Sequence, residues 1–260
     1  MIARALTIAG SDSGGGAGIQ QDLKTFQALG VWGMTAITAV TVQNTLGVQG
    51  WQRINPEIVA AQITAVAEDI GVDAAKTGML PDVAIITAVA RAVRDARIEQ
   101  LVVDPVMVAT SGDALIDDDA VDALVSEILP LAVCVTPNAR EAERLTGLPV
   151  RTPDEQRAAA RAIRAMGARA ALVKGGHTGG AEAIDVLVDA DDQEHELVAP
   201  WIDTTNTHGT GCMLSAAIVA GLAQGMDLVE AARRAKRFVT RGIEHALPLG
   251  GGAGPVDPMA

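Results

Sequence analysis

Apolar residues along the chain keep changing their spacing. Short aliphatic and β-branched runs at 6–9, 34–42, 73–76, 101–103, 132–135 and 170–173 predict buried strands. Between them the spacing lengthens to three and four. Ile19, Leu23 and Phe26 mark a helix after a Gly-rich loop, and further helices are predicted over 56–69, 81–97, 117–128 and 154–166. Proline stands at or near the first turn of 56–69 and 81–97, where its missing N–H costs nothing. Residues 183–198 read as a hairpin, 184–188 and 194–198, turned at Ala190, Asp191 and Asp192. Two helices, 211–223 and 227–246, close the chain. Strands alternating with helices predict an α/β fold with a largely parallel sheet, and such sheets bind ligands beyond the carboxyl ends of their strands.

Composition narrows the class. A chain of 260 residues, 49% hydrophobic, is long enough to bury one large core, and no linker or repeat divides it, so residues 1–260 are expected to form a single domain. The Gly/Pro-rich stretch at about 248–260 is the one tail-like piece. A net charge of -12 argues against nucleic acid or an anionic membrane as partner. Cys134 and Cys212 form no disulfide framework and fit a reducing, cytoplasmic setting. The N-terminus has too short an apolar run for a signal peptide, and the charge-free stretch 25–52 carries too many Thr, Gln and Asn to span a bilayer.

The polar motifs fall at predicted strand ends. Asn206-Thr207-His208-Gly209-Thr210-Gly211-Cys212 opens an apolar helix, so Gly209, Thr210 and Gly211 present backbone N–H groups to an anion. The same helix end would lower the pKa of the Cys212 thiol and make it a base; a tight loop with a buried Cys is the alternative. The loop 10–18, with five glycines, lets backbone approach a ligand or is a plain flexible turn; it is neither a Walker A loop nor a G-x-G-x-x-G fingerprint. Asp104 ends an apolar strand, where it could reach Mg²⁺ or cap the next turn. Asn138 and Glu141 suit hydrated Mg²⁺, or an ordinary capping box. Lys174 could hold a phosphate or be a solvated loop residue. Acid, amide, cation and amide cradle at successive strand ends are the parts needed for Mg-dependent phosphoryl transfer.

Taken in order, SDSGGGAGIQ, TVQNTLGV, AKTGML, DPVMVA, TPNAREAE, KGGH and NTHGTGC resemble the hydroxymethylpyrimidine and phosphomethylpyrimidine kinases of thiamine biosynthesis, in the ribokinase-like superfamily. The resemblance implies a three-layer sandwich, a central mostly parallel sheet of eight or more strands with helices on both faces, in a homodimer. It implies ATP- and Mg²⁺-dependent phosphorylation of 4-amino-5-hydroxymethyl-2-methylpyrimidine to its monophosphate and then the diphosphate, with a K⁺ requirement left open. By the same resemblance Gln43 reads the pyrimidine, and Asp22, Met79, Val106, Gly10 and Ala17 line its pocket. Met79 also suits plain core, and Asp22 a solvated helix position. Lys174 matches the phosphate-binding cation; Asp104, Asn138 and Glu141 match the region that organises Mg²⁺, with Asp104 and Glu141 reaching the metal directly or through water. Gly209, Thr210 and Gly211 match the anion hole, and Cys212 the general base.

Thr110 stands where the family commonly has Lys, and Met213 where Thr follows the Cys. Loss of a cation near the phosphates would weaken their grip in the second phosphorylation. Gln21 and Trp32 replace a frequent Ala and Tyr, as surface or packing changes. Two other functions compete: a pyridoxal kinase, against which the TVQNT segment speaks, and a non-catalytic pyrimidine-binding homologue, against which Asp104, Lys174 and Cys212 together speak.

Overall fold

A computed structural model describes residues 2–107, 118–176 and 181–260. Thr110 and His177 lie outside the described residues, as does the first residue of the helix expected at 117–128. The strands are β1 (Arg4–Ala9), β2 (Trp32–Ile37), β3 (Ala39–Asn44), β4 (Gly47–Arg53), β5 (Ala74–Thr77), β6 (Leu101–Val103), β7 (Ala132–Val135), β8 (Ala171–Val173), β9 (Glu182–Val188) and β10 (Glu194–Pro200). The helices are α1 (Gly18–Ala28), α2 (Pro56–Asp69), α3 (Val83–Asp95), α4 (Asp118–Ala123), α5 (Ala139–Thr146), α6 (Pro153–Ala165), α7 (Thr210–Ala223) and α8 (Leu228–Glu244).

Eight of the described strands form one sheet in the order β10-β9-β8-β7-β6-β5-β1-β2. Pairing is parallel from β2 to β8 and antiparallel through β9 and β10. Alternate strand residues serve opposite layers, as the two-residue period of a strand requires. Leu6 and Ile8 join Val59 and Ile63 of α2 and Val89 of α3 in one core; Ala5 joins Phe26 of α1 and Leu214 of α7 in the other. The result is three layers, helices on both faces of a mostly parallel sheet. Helix α7 is apolar almost all round and runs buried between the sheet, α1 and α8, the setting such a helix needs. From β1 the chain goes to β2 on one side and returns to β5 on the other. That reversal opens a crevice at the carboxyl ends of β1 and β5.

Three expectations change. The single strand expected at 34–42 breaks at Thr38, whose N–H bonds to Ala9 O and whose hydroxyl bonds to Met79 O at 2.7 Å. Beyond it β3 leaves the main sheet and pairs with β4 in a separate two-stranded hairpin. β4 escapes a hydrophobicity reading because Gly47, Gln49, Gly50 and Gln52 leave no alternation to see. The helix at 117–128 passes after Ala123 into a π turn at Leu124–Ile128. The Gly/Pro-rich end is no free tail: Val256 is 1% exposed and bonds through its N–H to His208 O. No described helix is long and apolar enough to cross a membrane.

Candidate active site

A cavity of about 180 Å³ opens at the carboxyl ends of β1, β5, β6 and β8, with the β3–β4 hairpin on one side and the N-terminus of α7 on the other. Gln43 and Val48 face it from paired positions of the hairpin. The register slips between Val42 and Gln43, a bulge that re-aims the amide. Ser13 of the Gly-rich loop holds the Gln43 backbone at both ends, its hydroxyl 2.8 Å from Gln43 N and 2.7 Å from Gln43 O. Met79 and Val106 pack with Ala39 in a small cluster apart from both main cores, giving this side an apolar wall. Gly10 and Ala17 complete it. Gly18 must be glycine: φ is +55° and a Cβ would come within 2.5 Å of Gly10 O.

Across the cavity the chemistry is ionic. Asp104 follows β6 and is 2% exposed, with Oδ1 at 3.3 Å from Lys174 Nζ and Oδ2 at 3.2 Å from Ser215 Oγ. Lys174 extends the β7–β8 pairing by a bridge to Asn138 and is a half-buried, paired cation rather than a freely solvated one. Asn138 and Glu141 do form a capping box at the start of α5. Both nevertheless line the cavity. Burial pushes the Glu141 carboxyl up to about 7, with Lys174 opposing and Asp104 adding to the rise. Glycine is the N-cap of α7 and no side chain caps that end, so the first-turn N–H groups of Gly211 and Cys212 are left to the cavity they line.

Cys212 departs from expectation in its ionisation. Burial pushes the thiol up to about 12, and Asp22 and Asp104 push the same way. Lys76 and the Gly18 N–H oppose them without prevailing. The helix N-terminus therefore does not yield a thiolate at neutral pH, because desolvation of the sulfur outweighs it.

Asp22 is not on the cavity wall. It lies beneath, fully buried, accepting from Thr7 Oγ1 at 2.6 Å and from Lys76 Nζ at 2.9 Å. Lys76, which the sequence reading passed over inside AKTGML, lines the cavity, 3.9 Å from Asp104 Oδ2. Asp22, Lys76, Asp104, Lys174 and Glu141 thus alternate in sign through the base of the site. A charged residue ending a buried strand was the available signal, read for Asp104 and not for Lys76. Of the departures, Met213 is fully buried in the α7 core, Gln21 is buried in α1, and Trp32 is exposed at the sheet edge.

The geometry has close counterparts. Residues 12–257 match the family model for phosphomethylpyrimidine kinase. A Rhizobium meliloti (strain 1021) protein named hydroxymethylpyrimidine/phosphomethylpyrimidine kinase is 53% identical over 259 residues, 98% of this chain and 97% of its own length. The crystal structure of phosphomethylpyrimidine kinase from Clostridium difficile 630 superposes with a TM-score of 0.82 at 41% identity, covering 93% of this chain and 99% of that one. An ADP complex of Bacillus subtilis pyridoxal kinase superposes with a TM-score of 0.90 at 40% identity, covering 98% and 97%. Fold, whole-length identity and family match agree, and the chain belongs to the phosphomethylpyrimidine kinase family.

Proposed function

We propose that this chain moves the γ-phosphoryl group of ATP to the hydroxymethyl oxygen of 4-amino-5-hydroxymethyl-2-methylpyrimidine, then phosphorylates the monophosphate to the diphosphate, serving thiamine biosynthesis. One observation carries the reading: Gln43 and Cys212 line the same cavity. A Gln amide presents donor and acceptor together, as a ring nitrogen beside an exocyclic amine requires. Cys212 stands where the acceptor hydroxyl would meet the phosphate, with the first-turn amides of α7 aimed at the transferring group.

In the first step the hydroxymethyl oxygen bonds to the γ-phosphorus as the bond to ADP breaks, and the hydroxyl proton passes to the small fraction of Cys212 that is ionised. In the second the nucleophile is a phosphate oxygen, already deprotonated near neutral pH because the second phosphate pKa is about 6. That step needs no base. Lys174 is placed to carry phosphoryl charge as a fixed point cation. Asp104 and Glu141 offer hard oxygens beside the phosphate site, and a divalent ion there would favour the ionised form of the Glu141 carboxyl, which burial pushes up. They suit Mg²⁺ held through water, since Glu141 Oε2 already accepts from Asn138 N at 2.7 Å. Bound with the nucleotide, Mg²⁺ would neutralise charge on the β- and γ-phosphates.

A coupled ADP-release assay over hydroxymethylpyrimidine, its monophosphate and pyridoxal tests the reading. Faster turnover of pyridoxal would overturn the acceptor, an alternative kept in view by the likeness to a pyridoxal kinase. A homodimer through the outer face of the hairpin completes the proposal, where Val40 and Val42 are 50% and 59% exposed. Val42→Glu should then give a monomer in light scattering; an unchanged mass would reject that face.

A further inference from the structure

The Gly-rich loop on the acceptor side and the turn on the phosphate side meet at a buried pair of side chains. His208 Nε2 lies 2.8 Å from Asp12 Oδ2, across 196 residues of sequence. Asp12 is 1% exposed and His208 7%. The same carboxylate accepts the N–H groups of Gly14 at 2.8 Å, Gly16 at 3.1 Å and Ala17 at 2.8 Å. Burial pushes Asp12 up, but its bonds from His208 and Gly14 hold it below the usual carboxylate range. It is therefore ionised, and the imidazole is the donor.

A second contact lies beside the first. Gly209, with φ +82°, sits so close to the loop that a Cβ would come within 1.8 Å of Gly16 O. The backbone of His208 is held from behind, its N–H bonding Gly254 O and its carbonyl accepting from Val256, both at 3.1 Å. The same C-terminal segment reaches the hairpin turn, where Gly252 N lies 3.3 Å from Thr45 Oγ1. The turn at Gly209 and the loop at Gly16 are thus joined by two direct contacts, one between backbones and one between side chains, with no space for a Cβ between them.

We infer that Asp12 and His208 are positioning residues that couple the two halves of the site, so that filling the phosphate turn orders the acceptor loop and filling the acceptor pocket orders the turn. The link rests on contacts within the protein; only the identity of the acceptor rests on the function proposed above. Coupling of this kind is reciprocal, and each ligand must tighten the other by one common factor.

The test is amide hydrogen exchange at 14–17 and 209–212 in the full chain, with Mg·AMP-PCP alone, hydroxymethylpyrimidine alone and both, alongside calorimetric affinities. In the parent, AMP-PCP should slow exchange at 14–17, and each ligand should raise affinity for the other by about 5-fold or more. His208→Leu keeps the bulk and removes the donor. It should retain AMP-PCP protection at 209–212, lose it at 14–17, and bring the affinity ratio to about 1. His208→Gln restores an N–H donor and should recover part of the coupling. Should His208→Leu fail to fold, Asp12→Asn is read by the same measurements. Protection at 14–17 that is missing in the parent, or equal in parent and His208→Leu, overturns the inference. If AMP-PCP protection crosses in the parent but the pyrimidine does not bind, the acceptor is wrong and the coupling stands.

Discussion

On the phosphate side of the cavity every ionic group is anchored in the main sheet or in α5 or α7 and already has a partner: Lys76 with Asp22, Lys174 with Asp104, Glu141 with the Asn138 N–H. On the acceptor side, Gln43 is neutral and half-buried, and it stands on a two-stranded hairpin outside that sheet, with Val40 and Val42 exposed behind it. The difference separates two kinds of mutational effect. Paired buried charges tie the chemistry to the stability of the fold, since removing one partner strands the other. A neutral amide on a peripheral hairpin, in the role proposed for Gln43, would select which molecule is phosphorylated and leave the framework unchanged. Substitutions on the two sides should differ in what they damage, and the following experiments test that division.

The largest effect on rate is expected at Cys212, where the two sides meet. Loss of a positioned base costs about 10²–10⁴-fold in rate. A thiol held up to about 12 is ionised to roughly one part in 10⁵ at pH 7, which places Cys212→Ala toward the lower end, near 10². Only the first phosphorylation should suffer, because the monophosphate brings its own anionic nucleophile. The sign of the pH dependence follows: while the pH lies below the thiol pKa the thiolate fraction grows about tenfold per unit, so the first step should climb from pH 7 to 10 in the parent and flatten in Cys212→Ala. Equal losses in both steps would assign Cys212 to the shape of the anion cradle.

The largest effect on stability is expected for Lys76→Met, which leaves Asp22 buried without its cation and should cost about 3–5 kcal/mol in denaturant unfolding. Adding Asp22→Leu removes the stranded charge and should return most of that stability. If Lys76→Met unfolds with the parent's midpoint, the ionic framework is not what holds this side together. Gln43→Leu on the hairpin should leave unfolding unchanged. It should lower kcat/KM for the pyrimidine by about 1–3 kcal/mol, the cost of leaving polar atoms of the ring unmatched. ATP affinity should hardly move. A stability loss comparable to that of Lys76→Met would erase the distinction between the two sides.

The same division explains what could be read from the sequence. The parallel sheet was legible because β1, β5, β6, β7 and β8 are short apolar runs between amphipathic helices, and the groups at their ends fell into place with them. Asp104, Asn138, Lys174 and Gly209 to Cys212 all border one cavity. The hairpin was half legible: Gln43 was named through resemblance, while β4 is hidden by its glycines and glutamines. Asp22 was placed on the wall by the same resemblance, and its burial could not be foreseen, because its partner Lys76 lies 54 residues away on another strand. The thiol pKa is hidden from the sequence for a related reason. A helix N-terminus is visible in sequence, but how deeply it is buried depends on the packing of α1, α7 and the sheet. The Asp12–His208 pair joins two motifs that sequence displays separately.

The smallest effect, at Glu141, separates two roles that coincide in one side chain. In the capping box its Oε2 accepts from Asn138 N, and Asn138 Oδ1 accepts from Glu141 N at 2.9 Å. Glutamine can make the same reciprocal cap, so Glu141→Gln should leave the α5 terminus and the unfolding midpoint nearly unchanged. What it removes is a negative charge facing the cavity beside Asp104. If that charge helps to hold hydrated Mg²⁺, the half-saturating Mg²⁺ concentration should rise by about 10-fold, the lower end of what an outer-shell partner contributes to metal affinity. The ATP requirement at saturating Mg²⁺ should stay close to the parent's, because Lys174 and the α7 amides are untouched. Magnesium titrations of Glu141→Gln and parent that overlay would leave Glu141 as a cap alone, and would put the metal on Asp104 and the phosphates.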